Sequence, residues 1–219
     1  MSKTRNQALE PVFPWRGLLQ RWSDEWLEPV LHEQERSEPF TAEVREARWL
    51  GTSGVSQAEV VALEERLGVA LPASYRQFLR TSNGWLDTTE SIERLLPIHE
   101  VGWARDIDPE MIGPSMETGD SIHVPDAEYF VYGDEQDCCA IRTEYLADML
   151  KISHTPHATD VYLLNPRVVT PEGEWEAWYL AHWLPGAIRY RSFWDLMNAE
   201  YKIFRGEEQL TPGTSDLRQ

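Results

Sequence analysis

Val60-Val-Ala-Leu-Glu-Glu-Arg-Leu-Gly-Val-Ala-Leu-Pro-Ala-Ser-Tyr-Arg-Gln-Phe-Leu-Arg-Thr-Ser-Asn-Gly-Trp85 reads as two short helices placed back to back. Just upstream, Ser56 and Glu59 have the spacing of a capping box, in which each side chain satisfies a backbone donor at the helix start. Val60, Leu63 and Leu67 form an apolar stripe, and Gly68 follows where a left-handed cap belongs. Pro72 opens the second helix. Tyr75, Phe78, Leu79 and Ser82 share one face of it. Asn83 and Gly84 end it, with Trp85 placed to cover the last turn. Val69-Ala70-Leu71 is the tight connection.

Upstream, residues 13 to 36 read as a helix, because Trp15, Leu18, Leu19, Trp22, Trp26 and Val30 recur at helical spacing. Pro14 suits the first turn, and Pro29 is expected to end or kink the helix near Glu28. The aromatic stripe is expected to pack on the main domain, with a docking face as the alternative. Residues 37 to 49 read as a linker with short structure.

Downstream the pattern turns to strands. Leu95, Leu96 and Ile98 lead into Val101 and Trp103. Tyr129 to Tyr132 is β-prone, with Cys138 to Ile141 as its expected hairpin partner. Val161 to Leu164 is a strand closed by Asn165–Pro166. Thr170-Pro-Glu-Gly173 is a turn, and Trp175 to Leu184 a further strand. Ser192 and Asp195 cap a last helix that buries Phe193, Leu196, Met197, Tyr201 and Phe204. Helices at both ends with strands between them predict an α+β fold, a mostly antiparallel central sheet flanked by helices.

Bulk properties narrow the function. Ten Trp and 42% hydrophobic residues are globular composition, not that of a disordered chain. No stretch approaches the ~20 continuous apolar residues that span a bilayer. Met1 to Glu10 lacks a secretory apolar run, so a cytoplasmic protein with no membrane partner is expected. Cys138 and Cys139 are adjacent, cannot staple a loop, and are read as strand residues without a redox task. A net charge of −17 is opposite to what direct nucleic-acid binding requires. It favours a basic protein partner or serves solubility alone.

Enzyme signatures are missing. His154 and His157 share a spacing of three but lack a third metal ligand. Ser53 lacks a nucleophile elbow, and the glycines mark turns rather than a phosphate loop. No catalytic residue, metal or cofactor is assigned.

The quoted stretch resembles the signature of the SMI1/KNR4, or SUKH, superfamily. The matching residues are Glu64, Leu67, Gly68, Leu71, Pro72, Tyr75, Phe78, Leu79, Asn83 and Gly84, read mainly as fold determinants. Glu64 and Asn83 could cap or bridge the two helices. Ile98 to Trp103 looks like the family's next strand, and Ser192 to Met197 like its closing helix. The resemblance implies an N-terminal helical extension over 1–44 and the SUKH-type domain over 45–205, while the polar residues 206–219 are expected to be a disordered tail. The resemblance also implies a protein-binding module rather than an enzyme. Bacterial members resemble immunity proteins that neutralise polymorphic toxins, often nucleases or deaminases, by direct contact. Eukaryotic members are signalling hubs, the alternative reading.

Between Asp106 and Asp137 stand ten acidic residues and no Lys or Arg: Asp106, Asp108, Glu110, Glu117, Asp120, Asp126, Glu128, Asp134, Glu135 and Asp137. Two readings stand, a solvated loop and an acidic face offered to a basic toxin domain. A nuclease must carry a cationic groove, which such a face can occupy. Trp103, Tyr129 and Tyr132 are the candidate aromatic anchors.

Overall fold

The computed structural model describes residues 10–32, 41–86, 89, 92–112, 124–155 and 160–208, the side chains of 29–32 excepted. Helix α1 spans Trp15–His32. It continues past Pro29 instead of ending near Glu28, since a proline removes one backbone hydrogen bond and the buried turns before it already anchor the helix. Trp15, Leu18, Leu19, Trp22 and Leu27 are buried in the main core. The Trp15 indole lies 5.4 Å from the Phe78 ring and 5.3 Å from Phe193, and its N–H donates to the Ser74 carbonyl at 2.8 Å. The stripe is therefore core, as expected. The Val30 side chain lies outside the described residues.

Short helix α2, Ala42–Ala47, starts on Thr41 and ends at Arg48, whose φ of 48° is left-handed. Arg48 reaches back to Asp24 and Glu28, each at 3.0 Å. Helices α3, Gln57–Leu67, and α4, Ala73–Thr81, are the predicted pair. The capping box of Ser56 and Glu59 is formed, and Gly68 takes φ 72°. Gly84, at φ 93°, sits against the backbone of Leu95 to Pro97, where a side chain would crowd it.

Strand β2, Arg94–Leu95, pairs with β1, Trp85–Leu86, on one side and with β5, Ser153–His154, on the other in a three-stranded sheet. The larger sheet has the order β3 (Gly102–Trp103), β4 (Leu150–Lys151), β6 (Val161–Val169), β7 (Trp175–Leu180), β8 (Ala187–Tyr190). All its pairings are antiparallel. The fold is thus α+β. Strand β6 runs on through Pro166, where a closing turn was expected. The register shifts between Asn165 and Val169, and a proline, having no N–H to pair, fits that irregularity.

Side chains alternate across this sheet as strand geometry demands. Tyr162, Leu164, Ala177, Tyr179 and Ile188 join α1, α3, α4 and the last helix, α8 (Phe193–Phe204), in one core. Val161, Leu163, Trp178 and Ala187 face a second core with Val124, Tyr129, Leu146 and Met149. The segment from α5 (Ala104–Ile107) and α6 (Pro109–Ile112) through α7 (Asp126–Tyr129) and two 3-10 turns (Gly133–Glu135, Thr143–Asp148) covers that second face.

The expected hairpin of Tyr129–Tyr132 with Cys138–Ile141 is not formed. Pro125 opens α7, with Asp126 and Glu128 in its first turn, where carboxylates favour a helix start. Cys138 and Cys139 lie in a turn, not a strand. Residues 181–184 likewise leave the strand that begins at Trp175.

Glu200, on the inner face of α8, is fully buried, and among the described residues neither carboxyl oxygen has a well-formed hydrogen bond. Burial pushes its carboxyl up to about 8, only partly offset by the Tyr162 hydroxyl. The folded state thus keeps a proton that the unfolded chain releases near 4.5. The resulting stability is full below that value and is lost as pH rises toward about 8, at ~1.4 kcal/mol per pH unit from this group. Glu200→Met is expected to flatten this slope and stabilise the protein at alkaline pH, as read by urea unfolding across the window. An unchanged slope would show that Glu200 does not titrate this way.

Candidate partner-binding surface

The acidic residues divide once folded. Asp108 pairs with Lys151 on β4, tying the cover segment to the sheet, and Asp126 pairs with Arg142, joining two parts of the cover to each other. Asp106 is exposed, 3.9 Å from Arg105. Asp137 is exposed and accepts from the Cys139 N–H at 2.8 Å. Glu110, Glu128, Asp134 and Glu135 are exposed, and among the described residues no Lys or Arg pairs with them. Glu117 and Asp120 lie outside the described residues.

The aromatic candidates divide too. Trp103 is half-buried, with the Arg105 guanidinium 5.7 Å from its ring. Tyr132 is partly exposed. Tyr129 is fully buried, so it serves the second core and cannot be a surface anchor. Its hydroxyl donates to Glu176 at 2.6 Å. Burial, then the Glu176 carboxylate, pushes its phenol well above the ordinary range.

Beneath the cover lies a polar cluster that sequence reasoning missed. Glu176 and Arg189 are buried on neighbouring strands, 3.7 Å apart. Glu176 accepts from Tyr129, from Tyr132 at 2.8 Å, from Asn165 at 3.0 Å and from the Trp178 indole at 2.7 Å. Arg189 donates to the carbonyls of Tyr129 and Val131, doing for this segment what a partner strand would have done. Gln136 bridges to the backbone of Arg189 in both directions, at 2.7 and 3.3 Å. The guanidiniums of Arg142 and Arg189 each lie 4.4 Å from the Tyr129 ring. The alternation in Trp175-Glu-Ala-Trp-Tyr-Leu180 was the available signal, since it puts Glu176 and Trp178 on one face.

At the edge of this cover is a groove of about 700 Å³. Phe13, Phe130, Tyr132, Val168, Val169 and Trp194 form its apolar walls, with Glu172, Arg191 and Asp195 among the polar lining. Glu174, also in the lining, is bound to Ser74 on α4 through both N–H and hydroxyl. Arg191 sits 5.2 Å from the Tyr132 ring.

The motif residues do structural work. Glu64 accepts from the Leu71 N–H at 2.8 Å and approaches Arg76 at 3.5 Å, bridging α3 to α4. Asn83 accepts from the Ile98 N–H at 2.7 Å. Leu67, Leu71, Tyr75, Phe78 and Leu79 are buried, and Pro72 sits at the N-terminus of α4.

Among the described residues, one set of metal-type donors gathers, Asp137, Cys138 and Cys139, with ligand atoms within 4.8 Å of one another. Three consecutive positions supply it, and the carboxylate is already engaged by the Cys139 N–H. His154 lies in β5, and His157 outside the described residues. No described helix is long and apolar enough to cross a membrane.

Removing one partner of the buried pair strands the other charge. Arg189→Met is expected to cost ~3–5 kcal/mol in denaturant unfolding. A cost near zero would mean that the cover segment does not depend on this guanidinium.

Comparison with curated proteins finds no match. The model of the SMI1 / KNR4 family (SUKH-1) matches residues 54–199, about two thirds of the chain. With α3, α4, the sheet and most of α8 inside that match, the chain belongs to the SMI1/KNR4 (SUKH-1) family.

Proposed function

We propose that this chain is a non-catalytic, cytoplasmic protein-binding module, an immunity protein that neutralises a cognate toxin by stoichiometric contact. Family membership supports the protein-binding part. The observation that carries the more specific reading is the placement of Glu110, Glu128, Asp134 and Glu135, exposed on the cover of the sheet. A chain of net charge −17 with exposed carboxylates on one segment is suited to a basic domain. A nuclease or nucleic-acid deaminase has such a surface, because its substrate is a polyanion. Charge complementarity of this kind mainly speeds encounter and excludes wrong partners.

Co-expression with a toxin gene encoded beside this chain tests the reading. Rescue of growth and a one-to-one complex are the expected results. Reversing Glu110, Glu128, Asp134 and Glu135 to Lys is expected to slow association by ~10-fold or more at low salt, with a smaller effect at high salt. Absence of rescue by the unmodified chain would count against immunity. Unchanged association after charge reversal would count against this face.

A further inference from the structure

We propose that the groove between the Phe130–Tyr132 segment, the β6–β7 turn and the first turn of α8 is a docking site. Its occupant is a cationic polypeptide segment of a partner protein that inserts one aromatic or long aliphatic side chain. This deepens the protein-binding reading above and rests on it.

Apolar exposure is concentrated here. Six large hydrophobic side chains stay exposed among the described residues, and two of them, Phe130 at 44% and Val169 at 52%, line this groove. A third, Val12, lies between the lining residues Pro11 and Phe13. A chain gains nothing by leaving such side chains together in water, and grouped exposure of this kind marks interaction surfaces.

The walls are held in place before anything binds. Trp194 packs against Trp15 at 4.8 Å and Phe13 at 5.5 Å. The Tyr132 hydroxyl is fixed on Glu176, and Arg191 lies over its ring. Val169 pairs with Trp175 in the sheet. A preorganised pocket avoids much of the ordering cost of association. Its volume, about 700 Å³, suits a bulky anchor side chain together with its neighbours.

Charge selects the class of partner. Four carboxylates and one guanidinium stand among the lining residues. Glu174 and Glu176 are buried and engaged by internal donors. Glu172 and Asp195 are exposed and without an ion-pair partner among the described residues. Glu128 precedes Phe130 by two positions, and Asp134 and Glu135 follow Tyr132. An acidic rim around an apolar floor is complementary to Lys or Arg flanking an apolar anchor.

The probe is a phage-displayed random peptide library panned on the full chain. The Phe130→Asp, Val169→Asp chain serves for subtraction. Both positions are exposed, and a matching thermal melt establishes that the variant is folded. Enriched peptides are expected to carry an aromatic or long aliphatic residue flanked by Lys or Arg. They are expected to bind the variant ~10-fold or more weakly. Enrichment of acidic or purely polar peptides, no enrichment, or equal binding to the variant would overturn the proposal. So would peptides matching residues 1–9, which would assign the groove to this chain itself. The co-expression assay separates the two readings. A variant that protects as well as the unmodified chain overturns the groove and leaves immunity standing. Peptide binding lost in the variant, with no toxin neutralised by either chain, upholds the groove and removes the immunity reading.

Discussion

A carboxylate and a guanidinium buried together on one face of a sheet constrain everything laid over that face. Glu176 takes four hydrogen bonds from side chains of three separate segments, and Arg189 returns the favour to the carbonyls of Tyr129 and Val131. Desolvating two charges is costly, and what offsets it is the four hydrogen bonds to Glu176 and the two from Arg189, although the Arg189 Nε–H has no partner among the described residues. The cover segment supplies several of those partners. It is therefore locked to the sheet by the need to satisfy buried charge as well as by the apolar contacts of Tyr129, Leu146 and Met149.

The other face is held by ordinary burial. Helix α1 lies before the stretch matched by the family model, yet Trp15 and Trp22 are as deeply buried as the motif residues Tyr75 and Phe78. Trp15 touches both α4 and α8, joining the two ends of the chain. Glu174 ties the β6–β7 turn to the first turn of α4 across 100 residues. The groove lies where these attachments meet: α8 provides Trp194, the end of β6 Val169, the β6–β7 turn Glu172, and the cover Phe130 and Tyr132.

This division explains how the acidic run is used. Asp108 anchors the segment to β4 through Lys151 and Asp126 braces it internally through Arg142, while Glu110, Glu128, Asp134 and Glu135 stay in solvent. One stretch of carboxylates thus serves both attachment and surface charge. Counting acids cannot tell the two apart, because their cationic partners lie outside the run, at 142 and 151.

The helical pair was legible because its determinants are local. Ser56 and Glu59 cap within one turn, Gly68 supplies a left-handed backbone that other residues resist, and the stripes of α3 and α4 repeat every three or four positions. The same holds for the Ser192 cap and the Thr170–Gly173 turn. Net charge was also plain in the residues. Tertiary structure alone decided that Tyr129 is core, that residues 129–132 bond to a guanidinium instead of a strand, and that Pro166 sits within β6. It alone also gathered Phe13, Phe130, Val169 and Trp194 into a groove. Each of these depends on groups tens of residues apart, or on a register shift set by the neighbouring strand. Propensity describes a residue's preference in isolation, whereas buried charges and unpaired carbonyls must be satisfied by whatever the fold brings within reach.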